Sequence, residues 1–170
     1  AGASDSGGQD YVATNGTLTF APGESSKTID VTINGDLANE ADDTFNVVLS
    51  GVSTTAQIQD GTGEGTIVND DALPTVSIAD ATVAEGNAGT KNMTFAVTLS
   101  AKSGRSVSVS YATADDTATT TGLIVAGGTD YAAKTGTLTF PAGTTALNVT
   151  VVITGDTTVE PNDEFTVTLA

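Results

Sequence analysis

The chain contains no cysteine, no histidine and no tryptophan among its 170 residues. The absence of cysteine excludes disulfide bonds and thiolate chemistry. Together with the absence of histidine, it removes the usual zinc ligands and the side chain that most often acts as a general base. A Ser–His–Asp triad is therefore excluded. An extracellular module of this composition has to be held together by core packing or by bound metal, because it has no cross-links.

Basic residues are also scarce. Five Lys and Arg stand against 21 Asp and Glu, which gives a net charge of −16. This balance argues against binding to nucleic acid or to anionic membrane surfaces, which need clustered cations. No apolar run approaches the roughly 18 residues of a membrane span, so no membrane insertion is predicted for this segment. Aromatic residues make up 5% of the chain, too few to predict a sugar platform, and we expect no enzymatic activity.

The residues that are present favour strands. Apolar side chains alternate with Thr, Ser, Asn or Asp in short runs, a pattern typical of sheets with one face in a core and one in water. Turn signals rich in Gly and Pro separate the runs at intervals of about ten residues, which predicts an all-β fold of antiparallel sandwiches. The predicted strands are 17–20, 28–33, 45–49, 65–68, 75–78, 93–99, 106–111, 135–140, 147–153 and 165–169.

A long internal repeat organises the chain. Residues 7–50 recur without a gap as residues 127–170, at a constant offset of 120, and almost half of the aligned positions are identical. Such a period predicts tandem modules. We place the boundary within residues 69–74, with residues 1–71 as the C-terminal part of module one and residues 72–170 as module two without its last strand. The missing strands come either from flanking polypeptide, which we favour, or from neighbouring chains.

Acidic residues recur in one loop of both modules. An Asp follows the Gly that ends a strand, a Glu follows four residues later, and another Asp comes three residues after that, just before the next strand. The exit of the last strand of module one adds Asn69, Asp70 and Asp71. In module two, Glu85 follows the first strand and Asp115 follows the third run. The paired loop residues are Asp36 with Asp156, Glu40 with Glu160, and Asp43 with Asp163.

These loops are predicted to meet at one end of each sandwich, since alternate connections in an antiparallel sandwich lie at the same end. Clustered carboxylates repel one another strongly unless a cation neutralises them. Oxygen ligands without His or Cys select Ca²⁺ or Mg²⁺, and flexible carboxylate-rich loops favour Ca²⁺. The competing interpretation is that Asp and Asn are ordinary turn formers. For Asp10 and Asp130, each followed by Tyr, we expect a turn hydrogen bond and packing of the Tyr ring rather than metal ligation.

The order of these motifs resembles the Calx-β domain, known from sodium–calcium exchangers, integrin β4 and many bacterial surface proteins. Six motifs agree in sequence and spacing over nearly the whole chain, as parts of two tandem copies. They begin at Val83-Ala84-Glu85-Gly86 and continue with residues 109–115, Gly128-Thr129-Asp130-Tyr131, residues 136–140, residues 160–165 and, from the other copy, residues 65–71.

The resemblance implies a seven-stranded Ig-like sandwich that binds Ca²⁺ at one end, near the junction with the next domain. This chain has Gly35-Asp36 and Gly155-Asp156 where the exchanger domain has a run of Asp, and Asn69 where a third Asp would stand; fewer ions or weaker affinity are expected. The implied ligands are Asp36, Glu40, Asp43, Asp70 and Asp71 in module one, and Glu85, Asp115, Asp156, Glu160 and Asp163 in module two.

These observations favour a non-enzymatic structural or adhesive protein at the cell surface, built as a string of Ca²⁺-stiffened sandwiches. Its expected partners are neighbouring modules of the same chain or like chains in an array. Two alternatives stay open. One is a Ca²⁺-sensing regulatory module of a membrane protein, and the other is a filament subunit completed by strands from neighbouring chains.

Overall fold

The computed structural model describes residues 9–120, 128–159 and 161–170. The described chain is all-β and its ladders are antiparallel, as the alternating pattern predicts. None of its described residues forms a helix that could cross a membrane. The eight strands are β1 (Asp43–Val48), β2 (Thr62–Ile67), β3 (Val76–Ile78), β4 (Thr90–Leu99), β5 (Val107–Asp115), β6 (Thr135–Phe140), β7 (Ala146–Thr154) and β8 (Phe165–Leu169).

Module two is a sandwich of two three-stranded sheets. One sheet has the order β3-β4-β7 and the other has the order β6-β5-β8. In the first sheet Phe95 lies opposite Val149, and in the second Val107 lies opposite Phe140. Six of the ten predicted strands account for this module, each within a few residues of its predicted bounds.

The core of module two lies between these sheets. Phe140 of β6, Val97 of β4, and Val149 and Val151 of β7 are almost fully buried. Each sits on the inward side of a strand whose next residue is polar or less buried, because successive side chains point to opposite faces of a sheet. Burial of each such side chain stabilises the fold by roughly 1.5–3 kcal/mol.

The described residues of module one form a two-stranded sheet. Its ladder joins β1 to β2. The strands predicted at 17–20 and 28–33 are wrong, because the described residues form no ladder there, and Ile33 takes part only in an isolated bridge with Tyr11. The 120-residue offset explains the difference. The equivalent strands β6 and β7 pair with β5 and β4, and the described residues of module one contain no counterpart of either partner. Phe20 is consequently 51% exposed, whereas its equivalent Phe140 is 0% exposed.

The two modules also differ at the last strand. β1 of module one pairs with β2, whereas its counterpart β8 pairs only with β5. Within the described residues, the second edge of β8 therefore has no partner strand.

Candidate metal centre

The acidic loop of module one is held in place by side-chain hydrogen bonds to backbone groups. Asp36 Oδ1 accepts a 2.7 Å hydrogen bond from the Ala38 N–H, which forms a local Asx turn. Further along, the Glu40 N–H donates to Asn69 Oδ1 at 2.9 Å, and the Asn69 N–H donates to Asp42 Oδ1 at 2.9 Å. The loop is thus fastened to the exit of β2, where Asn69 lies two residues after Ile67, the last paired residue.

Asn69 fits this position better than an acidic residue would. Its amide both accepts from the Glu40 N–H and donates to the Asp71 carbonyl oxygen, at 3.1 Å. An ionised Asp can accept hydrogen bonds but cannot donate one. Asn69, which stands where the resemblance would place a third Asp, therefore fixes the loop through both the oxygen and the nitrogen of its side-chain amide.

Three carboxylates of module one converge on one point. Asp10, Glu40 and Asp43 each offer an oxygen within 4.8 Å of the other two, and all three residues are half-buried. Asp10 reaches this place because its carbonyl oxygen accepts a 2.8 Å hydrogen bond from the Asn34 N–H, beside the Tyr11–Ile33 bridge. Glu40 and Asp43 come from the acidic loop and the first residue of β1.

The other predicted ligands of module one lie in the same cleft but outside this tight group. Asp36, Asp70 and Asp71 line a cleft of about 310 Å³ together with Asp10, Glu40 and Asp43. The sequence thus correctly predicts that the acidic loop and the exit of β2 meet at one end. It does not predict the inner set of three oxygen donors.

The donor set of this cleft suits a hard cation. Two oxygens bound to one Ca²⁺ at about 2.3–2.6 Å lie at most about 5 Å apart, which the Asp10–Glu40–Asp43 group satisfies. Two unit charges about 4 Å apart repel by about 4 kcal/mol at an effective dielectric near 20, so a divalent ion would relieve a substantial repulsion. Within the described residues, neither Asp10 nor Asp43 forms an ion pair or a side-chain hydrogen bond.

The acidic residues of module two also lie at one end of their sandwich. Backbone hydrogen bonds join the loops there: the Thr154 N–H donates to the Asp130 oxygen, the Gly155 N–H to the Gly89 oxygen, and the Ala118 N–H to the Glu164 oxygen. Among the described residues of this module, no group of three carboxylates comes as close together as in module one. Glu160, the counterpart of Glu40, lies outside the described residues.

The individual predicted ligands of module two have different surroundings. Asp156 Oδ1 accepts a 2.6 Å hydrogen bond from the Thr158 N–H, the same turn that Asp36 makes in module one. The backbone of Glu85 packs against Gly155, where an added Cβ would lie 2.8 Å from the Glu85 oxygen. Asp163 precedes β8 and is half-buried. Their ligation remains a prediction.

Asp115 makes hydrogen bonds within its own module. Its Oδ1 accepts a 2.5 Å hydrogen bond from the hydroxyl of Tyr131, and Oδ2 accepts from Thr120. The Tyr131 hydrogen bond is the main cause that lowers the pKa of Asp115. Burial, followed by this hydrogen bond, raises the pKa of Tyr131 to about 12.

The Asp-Tyr pairs of the two modules, Asp10-Tyr11 and Asp130-Tyr131, make different contacts through their Asp side chains. Tyr131 stacks on Phe165, so the expected packing is present there, but the hydrogen bond of Asp130 is not that of a turn: its Oδ2 accepts from the Thr119 N–H at 2.7 Å, eleven residues away. Tyr11 stacks on Phe45 in the same way. Asp10, however, belongs to the carboxylate group, which the sequence interpretation missed. The signal was available, because Asp10 recurs as Asp130 in the same repeat that carries the acidic loop.

The acidic end of module one lies against module two. Asn39 forms a parallel bridge with Ser103, in the turn between β4 and β5, and its carbonyl oxygen accepts a 3.0 Å hydrogen bond from the Gly104 N–H. The side chain of Asn39 donates to the Asp71 carbonyl oxygen at 2.7 Å, which ties the linker to the same point. The acidic end of module two lies at the opposite end of β4, so the two modules follow each other head to tail.

A comparison with protein-family models agrees with the motifs. A family model described as the Calx-beta domain matches residues 2–72 and again residues 69–170. No curated protein matches the chain. One similar solved structure, described as "Crystal structure of CBD12 from CALX1.2", shares 23% sequence identity at a TM-score of 0.45; the match covers 99% of this chain and 63% of that one. Because the family model accounts for nearly the whole sequence in two successive matches, the chain belongs to the Calx-β domain family, as two tandem copies.

Proposed function

We propose that the protein is a non-enzymatic structural and adhesive repeat protein of the cell surface, whose modules bind Ca²⁺ at their acidic ends and are stiffened by it. Calx-β domains are calcium-binding modules, and the acidic cluster of module one is compatible with Ca²⁺. The observation that carries the proposal is the position of the cluster at the module junction. The proposal includes the division of the chain into module one, residues 1–71, and module two, residues 72–170.

The proposed ligands of module one fall into two groups. Asp10, Glu40 and Asp43 form the inner set, and Asp36, Asp70 and Asp71 supply further oxygens from the walls of the same cleft. Bound Ca²⁺ supplies positive charge that neutralises these carboxylates. The chain itself holds the donors in place through the hydrogen bonds of the Asn69 side chain and the turn at Asp36.

Stiffening follows from the contacts of this loop. Glu40 and its neighbour Asn39 lie between the cleft lined by the carboxylates of module one and the Ser103–Gly104 turn of module two. A ligand set that is drawn together by an ion also fixes the residues that contact the next module. Since the acidic end of module two faces away from module one, a further module placed there would be joined in the same way, and a rod would result.

The proposed surface location is supported by the charge of the chain. A net charge of −16 favours the solubility of an exposed polymer. The regulatory alternative, in which the modules sense Ca²⁺ for a membrane exchanger, uses the same site. It is favoured by the family, in which Calx-β domains serve as regulatory calcium-binding domains. The two are told apart by whether the full-length polypeptide contains exchanger spans.

A specific observation favours the second candidate, a filament subunit. The edge of β8 that corresponds to the β2-paired edge of β1 is open in the described chain. A strand like β2 from a neighbouring copy would close it by adding to the sheet. Sedimentation of the 170-residue chain over a range of concentrations tests this candidate, because filament subunits would associate and array fragments would stay monomeric.

Thermal unfolding with and without millimolar Ca²⁺ tests the calcium proposal. Ligand linkage predicts about 3 kcal/mol of added stability at a hundredfold excess over the dissociation constant. Asp43→Asn is expected to reduce the shift, whereas Asp30→Asn, which removes the same charge at an exposed position of module one, is expected to retain it. An unchanged melting temperature of the wild-type chain in Ca²⁺ would refute the proposal.

A further inference from the structure

The side chain of Glu40 crosses from module one onto Gly104 of module two. A Cβ built on Gly104 would lie 2.6 Å from both Cγ and Oε1 of Glu40 and 2.9 Å from its Cδ. These separations are shorter than any that real Cβ atoms tolerate. The Glu40 carboxylate therefore occupies the space that any other residue at position 104 would fill.

Space, and not backbone conformation, is the reason for glycine here. Gly104 is absent from the glycines with positive φ, so an alanine could adopt its backbone angles. Gly104 is buried, and its N–H donates to the Asn39 carbonyl oxygen at 3.0 Å. The backbone of module two thus approaches the residue next to Glu40 and the Glu40 side chain at the same point.

We propose that Gly104 is a positioning residue for the calcium site of module one, supplied by module two. It accommodates Glu40 so that its carboxylate lies within reach of Asp10 and Asp43. This inference rests on the proposed calcium function and deepens it, because the site of one module then depends on the module that follows.

Ca²⁺ binding and the contact between the two modules must affect each other equally. If contact with module two improves the Ca²⁺ affinity of module one by a given factor, Ca²⁺ must favour the module contact by the same factor. Calcium would therefore act on the junction through Glu40 and Gly104, two residues that belong to different modules.

The test measures Ca²⁺ affinity of the 170-residue chain by titration calorimetry. Gly104→Ala is expected to weaken Ca²⁺ binding about tenfold. This is the lower end of the loss in metal affinity that follows when residues that orient metal ligands are changed. Gly63→Ala is the matched control, because a Cβ at Gly63 meets nothing within 4 Å and its φ is ordinary. Wild-type affinity in Gly104→Ala would overturn the proposal.

A double-mutant cycle tests whether Gly104 acts through Glu40. In a Glu40→Ala background, Gly104→Ala is expected to change the dissociation constant less than about twofold, since its steric target is gone. A full tenfold loss in that background would contradict the mechanism, even if the single variant behaved as expected.

A metal-free readout separates this inference from the calcium proposal. In EDTA, Gly104→Ala is expected to lower the melting temperature of the wild-type chain but to have a smaller effect on the Glu40→Ala chain. If the wild type bound no Ca²⁺, the proposed function would fail while this comparison still reported on the contact. Equal effects in both backgrounds would refute the positioning role.

Discussion

The hydroxyl of Tyr131 donates a 2.5 Å hydrogen bond to Oδ1 of Asp115, and the ring stacks on Phe165 with centroids 4.2 Å apart. Tyr131 is 2% exposed, so this polar contact forms at the edge of the core. Asp115 ends β5, and its other oxygen accepts from Thr120. The interaction therefore anchors the loop after β5 to the sandwich through side chains of the protein itself.

Removing this hydroxyl should destabilise module two without emptying its core. Tyr131→Phe keeps the stacking on Phe165 and loses one hydrogen bond, so we expect the free energy of unfolding to fall by about 1 kcal/mol. Chemical denaturation monitored by circular dichroism measures the change. Tyr11→Phe is the comparison, because Tyr11 also stacks on a Phe and no hydroxyl hydrogen bond of it is among the described contacts; a similar loss in both variants would contradict a special role for Asp115.

The same pair predicts a pH dependence at the alkaline end. Because the pKa of Tyr131 is raised from 10.0 to about 12, its contribution to stability is complete below pH 10 and is lost as the pH rises toward 12. Ultraviolet titration of the three tyrosines should show one group ionising late. That late group should be missing from Tyr131→Phe, and its persistence there would show that the wrong tyrosine was assigned.

Asp115 contributes at the acid end with the opposite sign. Its pKa is lowered in the folded chain, chiefly by the hydrogen bond from Tyr131, so its contribution is present above its unfolded pKa and is lost as the pH falls through the folded value. We expect acid unfolding of Tyr131→Phe to begin at a higher pH than that of the wild-type chain. A stability difference between the two chains that does not shrink between about pH 5 and pH 2 would contradict this assignment.

Two phenylalanines at equivalent repeat positions should respond very differently to truncation. Phe140→Ala removes a fully buried ring and is expected to cost about 3–5 kcal/mol. Phe20→Ala removes a ring that is half in solvent, in a segment without a ladder, and should change stability by less than about 1 kcal/mol. If both variants lost the same stability in urea denaturation, Phe20 would have to be packed in a core of module one that the described contacts do not show.

Aromatic rings cover a glycine on the neighbouring strand in both modules. Phe45 lies opposite Gly65 in the β1–β2 ladder, and Tyr111 lies opposite Gly136 in the β5–β6 ladder. A Cβ at Gly65 would lie 2.5 Å from the Phe45 ring, so Gly65→Ala should overpack the pair and lower stability by about 1–3 kcal/mol. Gly63→Ala, in the same strand over open space, is expected to leave the melting temperature nearly unchanged, and a comparable drop there would point to strand propensity as the cause.

The sequence predicted the strands that have at least one partner strand within the described residues. Alternation is a local property, so the runs that became β3 to β8 could be identified without knowledge of the fold. The runs at 17–20 and 28–33 show the limit of this reasoning. They have the same pattern as β6 and β7, but a strand needs a partner for its ladder, and the partner is a distant segment.

The candidate site was predictable in part for a related reason. Spacing identified Glu40 and Asp43, because both belong to one loop that recurs in the second module. Asp10 reaches the group only through backbone pairing with Asn34, a residue distant from it in sequence. The contact of Glu40 with Gly104 was beyond sequence reasoning, since it depends on how two modules pack.

The most direct test of the calcium account is titration calorimetry of Ca²⁺ into the wild-type chain and into the Asp10→Asn/Asp43→Asn double variant. Both substitutions keep the shape of the side chains and remove two of the three converging charges. The account predicts a binding event in the wild type whose stoichiometry falls by one site in the variant. Equal stoichiometry and affinity in both chains, or no binding to the wild type, would contradict it.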